Sequence, residues 1–234
     1  MLQAFAWLSL WIAFICAAII TVHEIRYPQK MMVMNLVWPL TALYLSGFGL
    51  VAYFRFGVQM ARSRGHYEGE SQLDGGRMKM GQNAEVTLID AAVAATHCGA
   101  GCVLGDIVSE FAVFASGAVI LGSALWASFI WDFVAAWSLG IAFQYFTIAP
   151  MRKLSPSEGL KAAVKADTLS IIAFQVGMYG WMLLVHFRLF SHAHLRTDGA
   201  VYWLMMQVAM ICGFVTSIPM NWWLLKIGWK ESMS

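Results

Sequence analysis

Residues 2–22 contain no charged side chain, and comparable apolar runs recur at about 34–58, 85–122, 125–150, 160–187 and 200–225. A helix needs about 20 predominantly apolar residues to cross the hydrocarbon core of a bilayer. The chain is therefore expected to be all-α, a polytopic membrane helix bundle with its surface against membrane lipid. Composition agrees, with 60% hydrophobic and 12% charged residues, where a soluble domain carries roughly a quarter charged residues. That excludes a soluble enzyme, a disordered chain and a disulfide-stapled secreted module. At 234 residues there is room for six or seven spans only. A net charge of +2 gives no reason to expect nucleic acid as a partner. The first run lacks a basic n-region and is long for a signal-peptide core, so it is read as a helix.

Loop charges set the expected topology. The one clearly polar stretch, residues 60–84, is Gly-rich and basic, and no second domain is visible, so 1–234 is read as a single membrane domain. The 85–122 segment would reach about 57 Å as one helix, nearly twice a hydrocarbon core of about 30 Å. It is either one long span or two spans joined near Gly99-Ala100-Gly101. One span gives six helices with both termini cytoplasmic, and puts eleven Lys and Arg on the cytoplasmic side against four outside. Two spans, seven in all, would destroy that asymmetry. Ser157 is the expected N-cap of the helix that follows Pro156.

The informative stretch is Thr96-His97-Cys98-Gly99-Ala100-Gly101-Cys102-Val103-Leu104-Gly105-Asp106-Ile107-Val108-Ser109-Glu110. Cys98, Cys102, Asp106 and Glu110 recur every four residues, which keeps them within about 120° of one helix face. His97, Gly101 and Gly105 form the adjacent row. An acid at mid-membrane costs at least about 2.5–3.5 kcal/mol, so this face is expected to meet protein or a water-filled cavity. Thiolates beside an imidazole and two carboxylates offer a ligand set for a soft transition-metal ion, copper first and zinc second. The thiols one turn apart also allow redox chemistry, although their Cβ vectors suit a disulfide poorly. The plainer alternatives are that the cysteines fill space and that Gly101-x-x-x-Gly105 is a helix-packing surface.

Other residues extend the pattern. Met34, Met178, Met182 and His186, with His192 and His194, are placed at an outer entrance where thioether and imidazole favour copper. Asp132 is expected to approach Glu110. Gln175, Gln207 and Cys212 are placed near His97 and Cys98. Asp90, Gln144, Asp167 and Asn221 gather toward the cytoplasmic end, with Lys165 as the counter-charge of Asp167. Together Asp90, Asp132, Gln144, Asp167 and Asn221 outline a polar route. An interhelical hydrogen-bond network accounts for the same residues. No nucleotide motif occurs, no mid-span lysine is available for retinal, and the histidines suit haem poorly.

Three blocks carry a resemblance: Thr96-His97-Cys98-x-x-Gly101-Cys102-x-x-Gly105-Asp106, Lys165-Ala166-Asp167-Thr168-Leu169-Ser170 and Pro219-x-Asn221-Trp222-Trp223-Leu224. From about residue 85 onward the chain resembles an uncharacterised bacterial membrane family, domain-of-unknown-function family 4396. The resemblance implies a multi-pass protein of the bacterial inner membrane and brings no activity with it. The residues themselves suggest a carrier for a soft metal ion, most readily copper, with His97, Cys98 and Cys102 at its centre and Asp106 and Glu110 assisting. The alternatives are a membrane thiol oxidoreductase or metal-centre assembly factor using Cys98 and Cys102, and a proton- or cation-conducting accessory subunit. A homodimer is the expected assembly, since six helices are few for a complete carrier.

Overall fold

A computed structural model describes residues 1–29, 32–58, 86–152, 155–191 and 195–230; the polar loop 60–84, His192 and His194 lie outside them. Every regular element among the described residues is helical: α1 (Leu2–Arg26), α2 (Met34–Leu45), α3 (Gly47–Ala52), α4 (Leu88–Ser116), α5 (Ala124–Arg152), α6 (Pro156–Leu184) and α7 (Ala200–Lys226). Helix α3 runs on through a π-helical turn, Tyr53–Gly57, and α6 through another, Val185–Leu189. Five helices, α1 and α4 to α7, are long and apolar enough to cross a membrane.

The 85–122 segment resolves into one unbroken helix, α4. Thr87 and Asp90 cap its start reciprocally, and Gly117, left-handed at φ 64°, ends it. Helix α6 likewise starts with a capping box, formed by Ser155 and Glu158 around Pro156. The expected cap at Ser157 is thus two residues late, because proline is best tolerated in the first helical position and leaves the residue before it to cap.

The expected second span, 34–58, does not form one long helix. Helix α2 has only 12 residues, about 18 Å against a core of about 30 Å. It ends where Ser46 takes a positive φ of 49°. Beyond that break the chain turns back. A Cβ on Gly49 would lie 3.0 Å from the Cα of Ala42, a pair about 10 Å apart in a straight helix. Gly57 returns to the ring of Trp38, and Tyr53 to His23, whose Nδ1 lies 2.7 Å from the tyrosine oxygen. Residues 34–57 are therefore a helical hairpin whose two ends share one face of the bundle.

The hairpin tip needs support, because broken backbone at membrane depth is tolerated only where protein or water satisfies it. Gln207 supplies that support. Its Nε2 donates to the Leu43 carbonyl at 2.8 Å, while its Oε1 accepts from Ser9 Oγ at 2.8 Å. This clamp, rather than a place beside His97 and Cys98, is the role of Gln207. Gln207→Leu should lower stability by about 1 kcal/mol, read as a melting shift in detergent.

The same contact fixes the direction of α1. Ala6 packs with Ala200 and Leu204 while Ser9 meets Gln207, so α1 runs parallel to α7. Its first residues sit at the end of the bundle where α7 begins. His23 and Glu24 belong to the last turn of α1. Met34 starts the hairpin next to them, at the opposite end from Met182 and His186.

Candidate functional site

Helix α4 positions the chemistry. Cys98, Cys102, Asp106 and Glu110 are all buried, as are His97, Gly101 and Gly105, so the ladder faces protein along its length. Close contact of α4 with α5 makes this possible. A Cβ on Gly101 would lie 2.9 Å from Gly140 Cα, and one on Gly105 would lie 2.6 Å from Ala136 N. The glycine pair is a packing surface, as one reading of its spacing proposed.

Toward the Ser116 end, carboxyl groups from α4 and α5 converge. Ser128 Oγ donates to Glu110 Oε2 at 3.0 Å, and Ser109 Oγ bonds Asp132 Oδ1. Tyr202 lines the same cavity wall as Glu110. The expected approach of Asp132 to Glu110 is realised. One turn deeper, both oxygens of Asp106 are buried and have no hydrogen-bond partner. Above this cluster lies a partly open cavity of about 500 Å³, with Glu110, Ser128, Tyr202, Met182 and His186 among its walls.

Toward the opposite end, Cys98 donates through its thiol to Asp167 Oδ1 at 3.0 Å. The counter-charge of Asp167 is Lys230, whose Nζ lies 2.8 Å from the same oxygen with both side chains essentially inaccessible. Lys165 is exposed and sits 4.3 Å from the ring centre of Trp229, so it is not the partner that its sequence neighbourhood suggested. Lys230 also donates to Asn221 Oδ1 at 2.8 Å, and that oxygen accepts from Ser170 Oγ at 2.9 Å. Asp167 and Asn221 therefore meet as expected. Asp90 sits at the head of α4, where its carboxylate accepts from the backbone N–H and hydroxyl of Thr87. Gln144 is buried with neither amide atom partnered, and so is Gln175.

The proposed ligand set is distributed rather than gathered. Cys98 belongs to the Lys230 end, Glu110, Met182 and His186 to the cavity, and Met178 to the apolar core. His97 directs Nδ1 toward the Val93 carbonyl at 3.5 Å, leaving Nε2 buried and unpartnered. Among the described residues, no three His, Cys, Asp or Glu side chains are grouped so as to hold a metal ion. The sequence reading missed Ser109, Ser128, Tyr202, Ser170 and Lys230. Ser109 stood beside Glu110 in the ladder and was legible; Lys230 follows the end of α7 and resembled an ordinary flanking base.

A family model described as a domain of unknown function, DUF4396, matches residues 89–230, more than half of the chain. No curated protein and no solved structure matches it. The matched region takes in both polar clusters, from the first turn of α4 to Lys230. The chain belongs to the DUF4396 family.

Proposed function

We propose that this protein carries protons across a membrane, exchanging them between the cavity and the carboxyl groups of α4 and α5. The observation that carries this reading is the convergence of Glu110 and Asp132, both buried and each held by a serine across the α4–α5 interface, beneath the cavity. Such a pair binds and releases a proton without leaving a bare pair of charges in low dielectric. Asp106, unpartnered one turn deeper, is the next acceptor along α4. The Asp167–Lys230 pair then closes the far end of the polar path.

The charge pattern supports an orientation. The hairpin at 34–57 and a parallel α1 bring Arg26 to the face that carries Arg55, Arg152, Lys161, Lys165, Lys226 and Lys230. Among the described residues, seven Lys and Arg thus fall on that face and only Arg188 and Arg196 on the other. This asymmetry supports the Lys230 face as the cytoplasmic one. The reading is thus five spans plus a re-entrant hairpin in the bacterial inner membrane, with residue 1 outside.

Reconstitution tests the proposal. Vesicles holding the protein and an entrapped pH dye should dissipate an imposed pH gradient, and Glu110→Gln should bring the rate down to that of protein-free vesicles. Equal rates for Glu110→Gln and the unaltered protein would sink it. The second reading, copper carriage, is favoured by one feature: the buried, unpartnered Nε2 of His97 on the helix that holds Cys98 and Cys102. It requires bound copper in the purified protein that Cys98→Ser with Cys102→Ser removes.

A further inference from the structure

The cation that neutralises Asp167 is covalently part of the chain, yet its acceptors do not depend on the segment that delivers it. Asp167 Oδ1 and Asn221 Oδ1 both lie 2.8 Å from Lys230 Nζ, and the Ala94 carbonyl lies at 3.4 Å. They belong to α6, α7 and α4. Asn221 is held by Ser170 Oγ and by its own Nδ2, which donates to the Ser217 carbonyl at 2.9 Å. Asp167 is held by the Cys98 thiol, and its Oδ2 is buried with no partner at all. Three oxygens thus face the three N–H bonds of one ammonium group, with the Cys98 sulfur 3.4 Å away as well.

Lys230 itself comes from a short turn after α7. Gly228 adopts φ 70°, and the amides of Trp229 and Lys230 both donate to the Leu224 carbonyl, at 3.0 and 3.2 Å. Residues 226–229 are exposed, whereas the residues of α4, α6 and α7 that present the acceptors are buried. A turn of this kind opens at lower free energy than the packed helices around it.

We propose that these acceptors form a binding site for a primary ammonium cation, the ammonium ion or a small alkylamine, which residues 227–230 fill with Lys230 and vacate when such a cation binds. Two N–H donations at 2.8 Å with a third oxygen at 3.4 Å suit this chemistry better than a hard metal ion, whose oxygen ligands lie at about 2.0–2.6 Å. The proposal does not rest on proton carriage at Glu110. Occupation from outside exchanges one ammonium for another, so Asp167 keeps a counter-ion throughout and no bare charge is left in the bundle.

The test uses the full chain in detergent, with methylammonium chloride against tetramethylammonium chloride at equal ionic strength. Lys230→Ala should melt about 10 °C below the unaltered protein. Methylammonium should restore a saturable part of that loss, tetramethylammonium none, and the Asp167→Asn, Lys230→Ala double variant should not respond. In the unaltered protein, methylammonium should speed tryptic cleavage after Lys230 several-fold and tetramethylammonium should not. Equal effects of the two salts on the variant, or on the cleavage rate, overturn the proposal. Where Lys230→Ala does not fold, the cleavage rate in the unaltered protein decides.

Discussion

Gly105→Leu should abolish folding: the variant is expected to give no monodisperse protein after extraction into detergent. A Cβ at this position would lie 2.6 Å from Ala136 N and 2.9 Å from Ala136 Cα. Both are backbone atoms of α5, so no side chain can rotate away. Overpacking that flexible neighbours absorb costs about 1–3 kcal/mol; here α4 and α5 must separate, and the cost exceeds that range. The separation also parts Ser109 from Asp132 and Ser128 from Glu110, whose bonds cross the same interface. Gly105→Ala meets the same Cβ contact and should lower the melting temperature clearly, though less. Gly180 is the control, since a Cβ there has nothing within 4 Å. Gly180→Ala should be neutral or stabilising by up to about 1 kcal/mol. Equal yields and melting temperatures for Gly105→Leu and Gly180→Ala would show that the close approach of α4 and α5 is wrong.

The parts of this architecture legible in the sequence are those with a local signature. The i+4 ladder fixed one buried face of α4, and Gly101-x-x-x-Gly105 marked where a neighbouring backbone comes close. Asp132 lay at the depth that lets it find Glu110. The hairpin had only weak signals, Ser46-Gly47-x-Gly49 and Pro39, inside an apolar run. In a segment apolar on every side, periodicity cannot show a reversal, because both halves look like lipid-facing or core helix.

A hairpin returns the chain to the face it left, whereas a span carries it across, so the path of 34–57 decides at which end of the bundle α1 finishes. Loop charge is silent on this, since residues 2–22 carry none. Lys230 illustrates a different limit. Both Lys165 and Lys230 flank the Asp167 end, and proximity in sequence favours Lys165. Exposed Lys165 instead pairs with the Trp229 ring, while Gly228 turns the following backbone so that Lys230 enters the bundle. Local spacing identifies faces; which of two like charges is buried depends on a turn near the far end of the chain.

Asp167→Asn carries the other large effect, because it leaves the Lys230 ammonium buried with neutral acceptors only. Breaking a buried pair by removing one partner costs about 3–5 kcal/mol, whereas removing both charges is often neutral. The single variant should therefore melt about 10 °C lower. The double variant Asp167→Asn, Lys230→Met should regain most of that, because methionine keeps much of the lysine stem's volume without a charge. The coupling between the two positions should accordingly be several kcal/mol, measured as a double-mutant cycle on the full chain. Glu110 lies twelve residues from Cys98 along α4, about 18 Å, and shares no partner with Lys230 among the hydrogen bonds that place the two clusters. Combining Asp167→Asn with Glu110→Gln should therefore be additive in stability. Strong coupling between positions 110 and 167, or none between 167 and 230, would mean that the two ends of the ladder are not the separate polar centres their contacts describe.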